Sequence, residues 1–306
     1  MRLHFAGIGS TVMFDLAIAM KKAGHEVSGS DSGSIDQGVT ERLSEHGLLP
    51  NGSWHPELIL DPSDTLIIGP GITPDNPELE KARKIRARIL SYPEFIEMEC
   101  RNKHRVVLAG SPGKIAIAVI IVHTLQYHKR EIDYVLSRPV PGIEDSVKLG
   151  NAPTVIIDAL DGPASNIDPT TTFLKYKHHI GIISGIEWFG SPTHSSKEEY
   201  ARQFSLFEKA TPKGGVLIYF DLEPVVGVIS KEPLPDVLYI PYKTHPSQMD
   251  NGQEYLVESA TERHPVKLSG KHNMQNISAA RETLKKLGIT TPMFFEAVKN
   301  FGGPNI

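Results

Sequence analysis

Gly110-Ser111-Pro112-Gly113-Lys114 is the segment of this 306-residue chain with the most chemical content. Glycines flank the turn, so successive backbone N–H groups can converge into a nest for an anion. Lys114 follows where an ammonium group would reach the β- and γ-phosphates of a nucleotide. A phosphate loop that also holds Mg²⁺ needs a Ser or Thr hydroxyl next. Ile115 stands there instead, so the pattern admits a nucleotide while offering the metal poor support. Taken alone, these residues are equally a tight turn with one exposed lysine. A second glycine turn, Gly7-Ile8-Gly9, is followed by Ser10 and, 24 residues after Gly7, by Asp31 at the end of Ser-Gly-Ser30. Two glycines between a strand and a helix, with an acid at that spacing, are the parts of a dinucleotide site. The diphosphate would lie against the helix N-terminus and the acid would hold ribose. Val12 replaces the third glycine of that fingerprint, which leaves a structural strand–turn–helix as the other reading.

Both turns need a strand before them and a helix after them, and the apolar patterning supplies these. Residues 2–6, 27–30, 65–69 and 88–90 read as strands, with helices over 12–23, 39–46 and 77–86. Gly24 closes the first of these helices. Further on, residues 105–109, 154–157, 180–184 and 216–219 read as strands, and 115–127, 197–209, 272–287 and 293–300 as helices. Residues 221–265, rich in Pro and polar side chains, predict short strands and turns. Strands alternating with helices predict an α/β fold. A Rossmann-like domain with a parallel sheet is expected over residues 1–102, and a P-loop-type α/β domain over 103–306.

Composition narrows the function classes. A net charge of −4 gives no global attraction to nucleic acid or to an anionic membrane. The longest basic cluster, residues 81–88, alternates with apolar residues as a solvated helix face does. Cys100 is the sole cysteine, which excludes an internal disulfide and a multi-cysteine zinc site. The longest apolar run, residues 115–122, is too short to span a bilayer. The sequence enters a strand pattern at once, without a secretory leader, so a cytoplasmic location is expected.

The segments HFAGIGS, AGHEVSGSD, DNPEL, SYPEF, VVLAGSPGK, SGIEW, EEYARQFSLF and GKHNMQN run through almost the whole chain. In this order they resemble the Mur ligase family, and within it the UDP-N-acetylmuramate–L-alanyl-γ-D-glutamyl-meso-diaminopimelate (tripeptide) ligase branch. The resemblance implies a first domain holding a UDP-sugar and a second holding ATP and Mg²⁺. A third domain would bind the incoming amino acid or peptide; the chain stops at FGGPNI, where the family continues into it. The implied reaction activates a carboxylate as an acyl phosphate that an amine then attacks. Carried over residue by residue, Gly110, Ser111, Gly113 and Lys114 match the phosphate loop, with Lys114 the catalytic cation if the site works. His272, Asn273 and Asn276 match the motif beside the adenine; Asn273 is also a natural helix N-cap. Gly7, Gly9, Ser10, Ser30 and Asp31 match the UDP-binding region.

The positions that carry chemistry depart from the family pattern. Pro112 replaces the loop histidine or asparagine, and Ile115-Ala116 replace two hydroxyl residues. The acidic stretch appears as Asp158-Ala-Leu-Asp161-Gly162, leaving Asp158 and Asp161 as weak metal ligands. Phe189-Gly190 stand in place of an Asp-His pair, and His194 lies too far along the loop to replace that histidine. Phosphoryl transfer rests on positioning and electrostatics, so these losses together predict an impaired enzyme that keeps nucleotide or UDP-sugar binding. Two other functions compete. One is an active ATP-dependent amide ligase whose third domain another chain supplies. The other is a nicotinamide-dependent oxidoreductase built on Gly7, Gly9 and Asp31, which leaves GSPGK and GKHNMQN unexplained.

Overall fold

Alternating apolar residues at the start of the chain form strand β1 (Arg2–Ala6), which leads through the first glycine turn into helix α1 (Thr11–Lys22). The computed structural model describes residues 1–306 except 112, 189, 191–193, 195, 223, 230, 231 and 304–306. β2 (Glu26–Ser30), α2 (Gln37–Glu45), β3 (Thr65–Ile68), α3 (Pro77–Ile85), β4 (Arg88–Ser91) and α4 (Tyr92–Glu99) complete the first unit. Its four strands are all parallel in the order β2-β1-β3-β4, so the chain reverses direction across the sheet beside β1. The helix expected to end at Arg86 stops one residue earlier, because Arg86 turns left-handed at φ 61°.

The second unit starts with β5 (His104–Ser111) and α5 (Lys114–Tyr127), followed by β6 (Asp133–Val135), β7 (Val147–Lys148) and β8 (Thr154–Asp158). β9 (Pro163–Ser165), β10 (Asp168–Thr171) and α6 (Thr172–Lys175) lead to β11 (Ile180–Ile186), α7 (Lys197–Lys209), β12 (Val216–Phe220), α8 (Val225–Val228) and β13 (Leu238–Tyr242). Seven strands pair in the order β13-β12-β11-β5-β8-β6-β7, parallel except for β6 with β7. The segment expected to hold short strands and turns contributes β13 and a small antiparallel sheet of β14 (Ser247–Asp250), β15 (Gln253–Val257) and β16 (Arg263–Val266). α9 (Lys271–Lys286) and α10 (Thr291–Lys299) follow, and α9 packs along α5.

One apolar core joins the two sheets. Leu3, Phe5 and the buried length of α1 pack in the same cluster as Val107, Val155, Phe173 and Phe204. α1 is buried from Val12 to Met20, because it lies between the first sheet and the second unit instead of facing solvent on one side. Asp15 is fully buried in that helix and is met by Arg42 at 2.9 Å and by the Ser146 N–H and hydroxyl. Arg42 also pairs with Asp145 at 2.7 Å, and Lys22 holds the other Asp145 oxygen at 2.6 Å. An ionic seam thus ties α1 and α2 to the 144–147 segment of the second unit. Among the described residues no helix is long and apolar enough to cross a membrane.

Candidate nucleotide site

The Gly110–Lys114 turn and the His272–Asn276 motif, far apart in sequence, meet at Gly113. This glycine is the N-cap of α5 with φ +97°, and a Cβ there would lie 2.4 Å from Asn276 Oδ1 and 3.3 Å from His272 Nε2. Gly110 is constrained in the same way: its φ is +96° and a Cβ would meet the Gly185 carbonyl oxygen at 2.2 Å. Glycine is therefore required twice, once for β11 and once for α9 to close on the turn. The first N–H groups of α5 have no carbonyl inside the helix to bond, which leaves donors and the positive end of the helix dipole facing the turn.

A cavity of 510 Å³ opens at this junction. Gly110, Gly113, Lys114, Ile115 and Ala116 form one wall, and His272, Asn273 and Asn276 another. Asp158, at the end of β8, lines it with Ser137 and Arg138, while Ile120, Leu268 and Phe301 supply apolar surface. Of the residues singled out in sequence for this site, Gly110, Gly113, Lys114, Asp158, His272, Asn273 and Asn276 come together here. Ser137, Arg138, Leu268 and Phe301 were not foreseen. The first two follow β6, whose three residues are too few to show a period.

The charged side chains are arranged differently from a metal site. Lys114 Nζ pairs with Asp161 at 2.8 Å. Asp158 is buried, and its Oδ2 accepts the Ser137 hydroxyl and, at 3.2 Å, the Ser137 N–H. Burial pushes the Asp158 carboxyl pKa up, against the opposing pull of Lys114 and Ser137. Its second oxygen, Oδ1, is buried without a hydrogen-bond partner among the described residues. Asn273 does not cap α9: Gly270 holds that position, and the Asn273 amide donates to the Ser269 carbonyl at 2.8 Å. Gly190 has φ +82° and open space around it, while His194 is buried against Tyr200 with ring centroids 5.6 Å apart. Phe189 and Pro112 lie outside the described residues.

Mg²⁺ does not fit this donor set. Ile115 and Ala116 line the cavity with no oxygen to offer, Asp161 is held by Lys114, and Asp158 is turned onto Ser137. Among the described residues no group of three or more His, Cys, Asp or Glu could hold a metal ion. Octahedral coordination at about 2.1 Å tolerates little slack.

The N–H groups of the first unit's glycine turn are bonded to the chain leaving β2. The Gly7 and Ile8 N–H groups donate to the Ser30 carbonyl at 2.9 and 3.0 Å. The Gly9 N–H donates to Asp31 Oδ2 at 2.9 Å, and Gly33 donates to the other Asp31 oxygen at 3.0 Å. Asp31 thus fills the turn itself instead of standing ready for ribose. Ser10 precedes α1 without a side-chain capping bond.

Parallel sheets with a glycine–lysine turn at the head of a central strand define a P-loop α/β protein. Residues 2–104 match the model of the Mur ligase family, catalytic domain. The UDP-N-acetylmuramate–L-alanine ligase of Dictyoglomus turgidum is 27% identical over 315 residues, covering 99% of this chain and 65% of that protein. The chain therefore spans about 65% of the length of the curated relatives it matches. The UDP-N-acetylmuramate:L-alanyl-γ-D-glutamyl-meso-diaminopimelate ligase of Neisseria meningitides superposes with a TM-score of 0.86 at 18% identity, covering 98% of each chain. The UDP-N-acetylmuramate–alanine ligase of Thermotoga maritima gives 0.73 at 19% identity, covering 99% of this chain and 69% of its own. Over residues 2–104 by family model, and along nearly its whole length by sequence and fold, the chain is similar to Mur ligases.

Proposed function

We infer that this Mur ligase homologue holds an adenine nucleotide between the 110–114 turn and α9 and does not carry out the phosphoryl transfer that peptide ligation requires. The observation that carries the reading is the 510 Å³ cavity itself, where a phosphate-loop lysine and the α9 motif converge while Ile115 and Ala116 present only hydrocarbon. The apolar wall of Ile120, Leu268 and Phe301 suits a purine, and the α5 N-terminus suits its phosphates. The resemblance implies ATP and Mg²⁺; geometry supports the nucleotide half of that site and not the metal half. We place the domain border at about residue 102, with the nucleotide site in the second unit, residues 103–306. It places the protein in the cytoplasm, where UDP-sugars and nucleotides are found.

Completion by a third domain from another chain would not supply oxygens at residues 115 and 190, so the active-ligase reading is not favoured. The oxidoreductase reading loses its anion cradle to Asp31 and Ser30, and so does a UDP-sugar held at Gly7, Gly9, Ser10 and Ser30. The decisive assay supplies UDP-N-acetylmuramate, tripeptide, ATP and Mg²⁺, and follows phosphate release and UDP-sugar–peptide formation, with Lys114→Ala as the control. No product from either protein is expected. Product that Lys114→Ala abolishes would overturn the reading.

A further inference from the structure

A polyphosphate bound without a metal needs its charge balanced by the protein. The cavity is lined by a lysine and an arginine, Lys114 and Arg138, and they differ in availability. Lys114 is committed to Asp161 at 2.8 Å. Arg138, exposed on the loop after β6, lines the same cavity, and no carboxylate among the described residues pairs with it. Its neighbour Ser137 is fixed by two bonds to Asp158, so the backbone that carries Arg138 is anchored at the cavity wall. A guanidinium group presents a planar fork of donors that matches two phosphate oxygens, holds its charge at any physiological pH, and sheds water more readily than an ammonium group. The orphaned Asp158 Oδ1, buried at the same wall, awaits a hydrogen-bond donor such as a ribose hydroxyl or an amino group.

We propose that this cavity takes a nucleoside polyphosphate in its metal-free form, with Arg138 supplying the countercharge that a divalent cation would otherwise bring. The inference rests on the nucleotide reading above and sharpens it. Where Mg²⁺ finds hydrocarbon at Ile115 and Ala116, the loop after β6 brings a permanent cation to the other side of the ligand. Magnesium complexation removes phosphate charge that Arg138 and Lys114 would otherwise pair with, so Mg²⁺ should weaken binding or leave it unchanged.

The test is calorimetric titration of ATP and ADP into the full chain, in EDTA and in excess Mg²⁺, with wild type, Arg138→Gln and Arg138→Lys. Thermal melts establish that the variants are folded, as expected for an exposed side chain. Wild type should bind ATP in EDTA at least as tightly as in Mg²⁺. Arg138→Gln should lose about tenfold in affinity in EDTA, and Arg138→Lys should retain part of it because it keeps the charge without the fork. Binding that requires Mg²⁺, or that is indifferent to Arg138→Gln, overturns the inference while leaving the nucleotide reading intact. Absence of any ATP or ADP binding in both conditions overturns the nucleotide reading, and the inference with it.

Discussion

Gly113 concentrates the logic of the site in one residue. Its left-handed φ and the 2.4 Å approach of Asn276 Oδ1 leave no room for a methyl group. Gly113→Ala should therefore cost about 1–3 kcal/mol of stability, measured by urea denaturation, and abolish ATP binding by moving α9 off the turn. A fully stable, ATP-binding Gly113→Ala protein would show that the contact is slack. Asp161 acts in the opposite sense. By pairing with Lys114 it competes with any incoming anion, so Asp161→Asn should tighten ATP binding, by about three- to tenfold given the partial exposure of the pair. Looser binding in Asp161→Asn would mean that Asp161 serves the ligand and not the empty site. The glycines, Lys114 and the α9 residues were legible because each motif has a fixed composition. Arg138 was not, since an arginine on a loop carries no pattern and only the fold brings it to the cavity.

At the scale of elements, α4 is the instructive omission. No helix was expected after residue 90, because eight residues show too little of a 3.6-residue period. Yet Ser91-Tyr92-Pro93-Glu94 carries the Ser-x-x-Glu signature of a capping box with proline in the first turn. In the fold the Glu94 carboxylate accepts the Ser91 N–H at 2.9 Å and its hydroxyl at 2.8 Å. Burial raises the Glu94 pKa, but these bonds and Lys175 outweigh it and hold the carboxyl below its ordinary 4.5. A depressed carboxyl stabilises the fold fully above its unfolded pKa and loses that contribution as pH falls through the folded value. Glu94→Gln should accordingly cost about 0.5–1 kcal/mol at pH 7, at the low end for a cap because Glu94 is partly exposed. The difference from wild type should shrink below pH 4.5 in paired denaturation curves. A pH-independent difference would assign the effect to packing. The central strands β3, β5, β8, β11 and β12, by contrast, were plain in sequence, since buried parallel strands are rich in Val, Ile and Leu, whereas the short strands β6 and β7 were not.

Over the whole molecule, the ionic seam and the shared core make the two sheets one cooperative body. Removing the Arg42 guanidinium leaves Asp15, whose carboxyl pKa burial already pushes up, buried without its cation, which is costlier than never having had the pair. Arg42→Ala should lose about 2–4 kcal/mol, below the figure for a wholly buried pair because Arg42 keeps some contact with solvent. Calorimetry should still show a single unfolding transition for both proteins, shifted to lower temperature in the variant. Two resolved transitions would show that the sheets melt independently. None of this was visible in the sequence: Asp15 belongs to no motif, and its partners Arg42 and Ser146 are brought to it only by the fold, Ser146 from 131 residues away.

That shared core bears on how such proteins are inherited. The family signature ends at residue 104, but α1 is covered by side chains from both sides of that point. A recombination event at this border would hand each half a large apolar wound, so the segment that is recognisable by descent is not one that could be traded freely between genes. Lineages built on this frame are expected to diversify by substitution within loops and seldom by exchanging their first hundred residues.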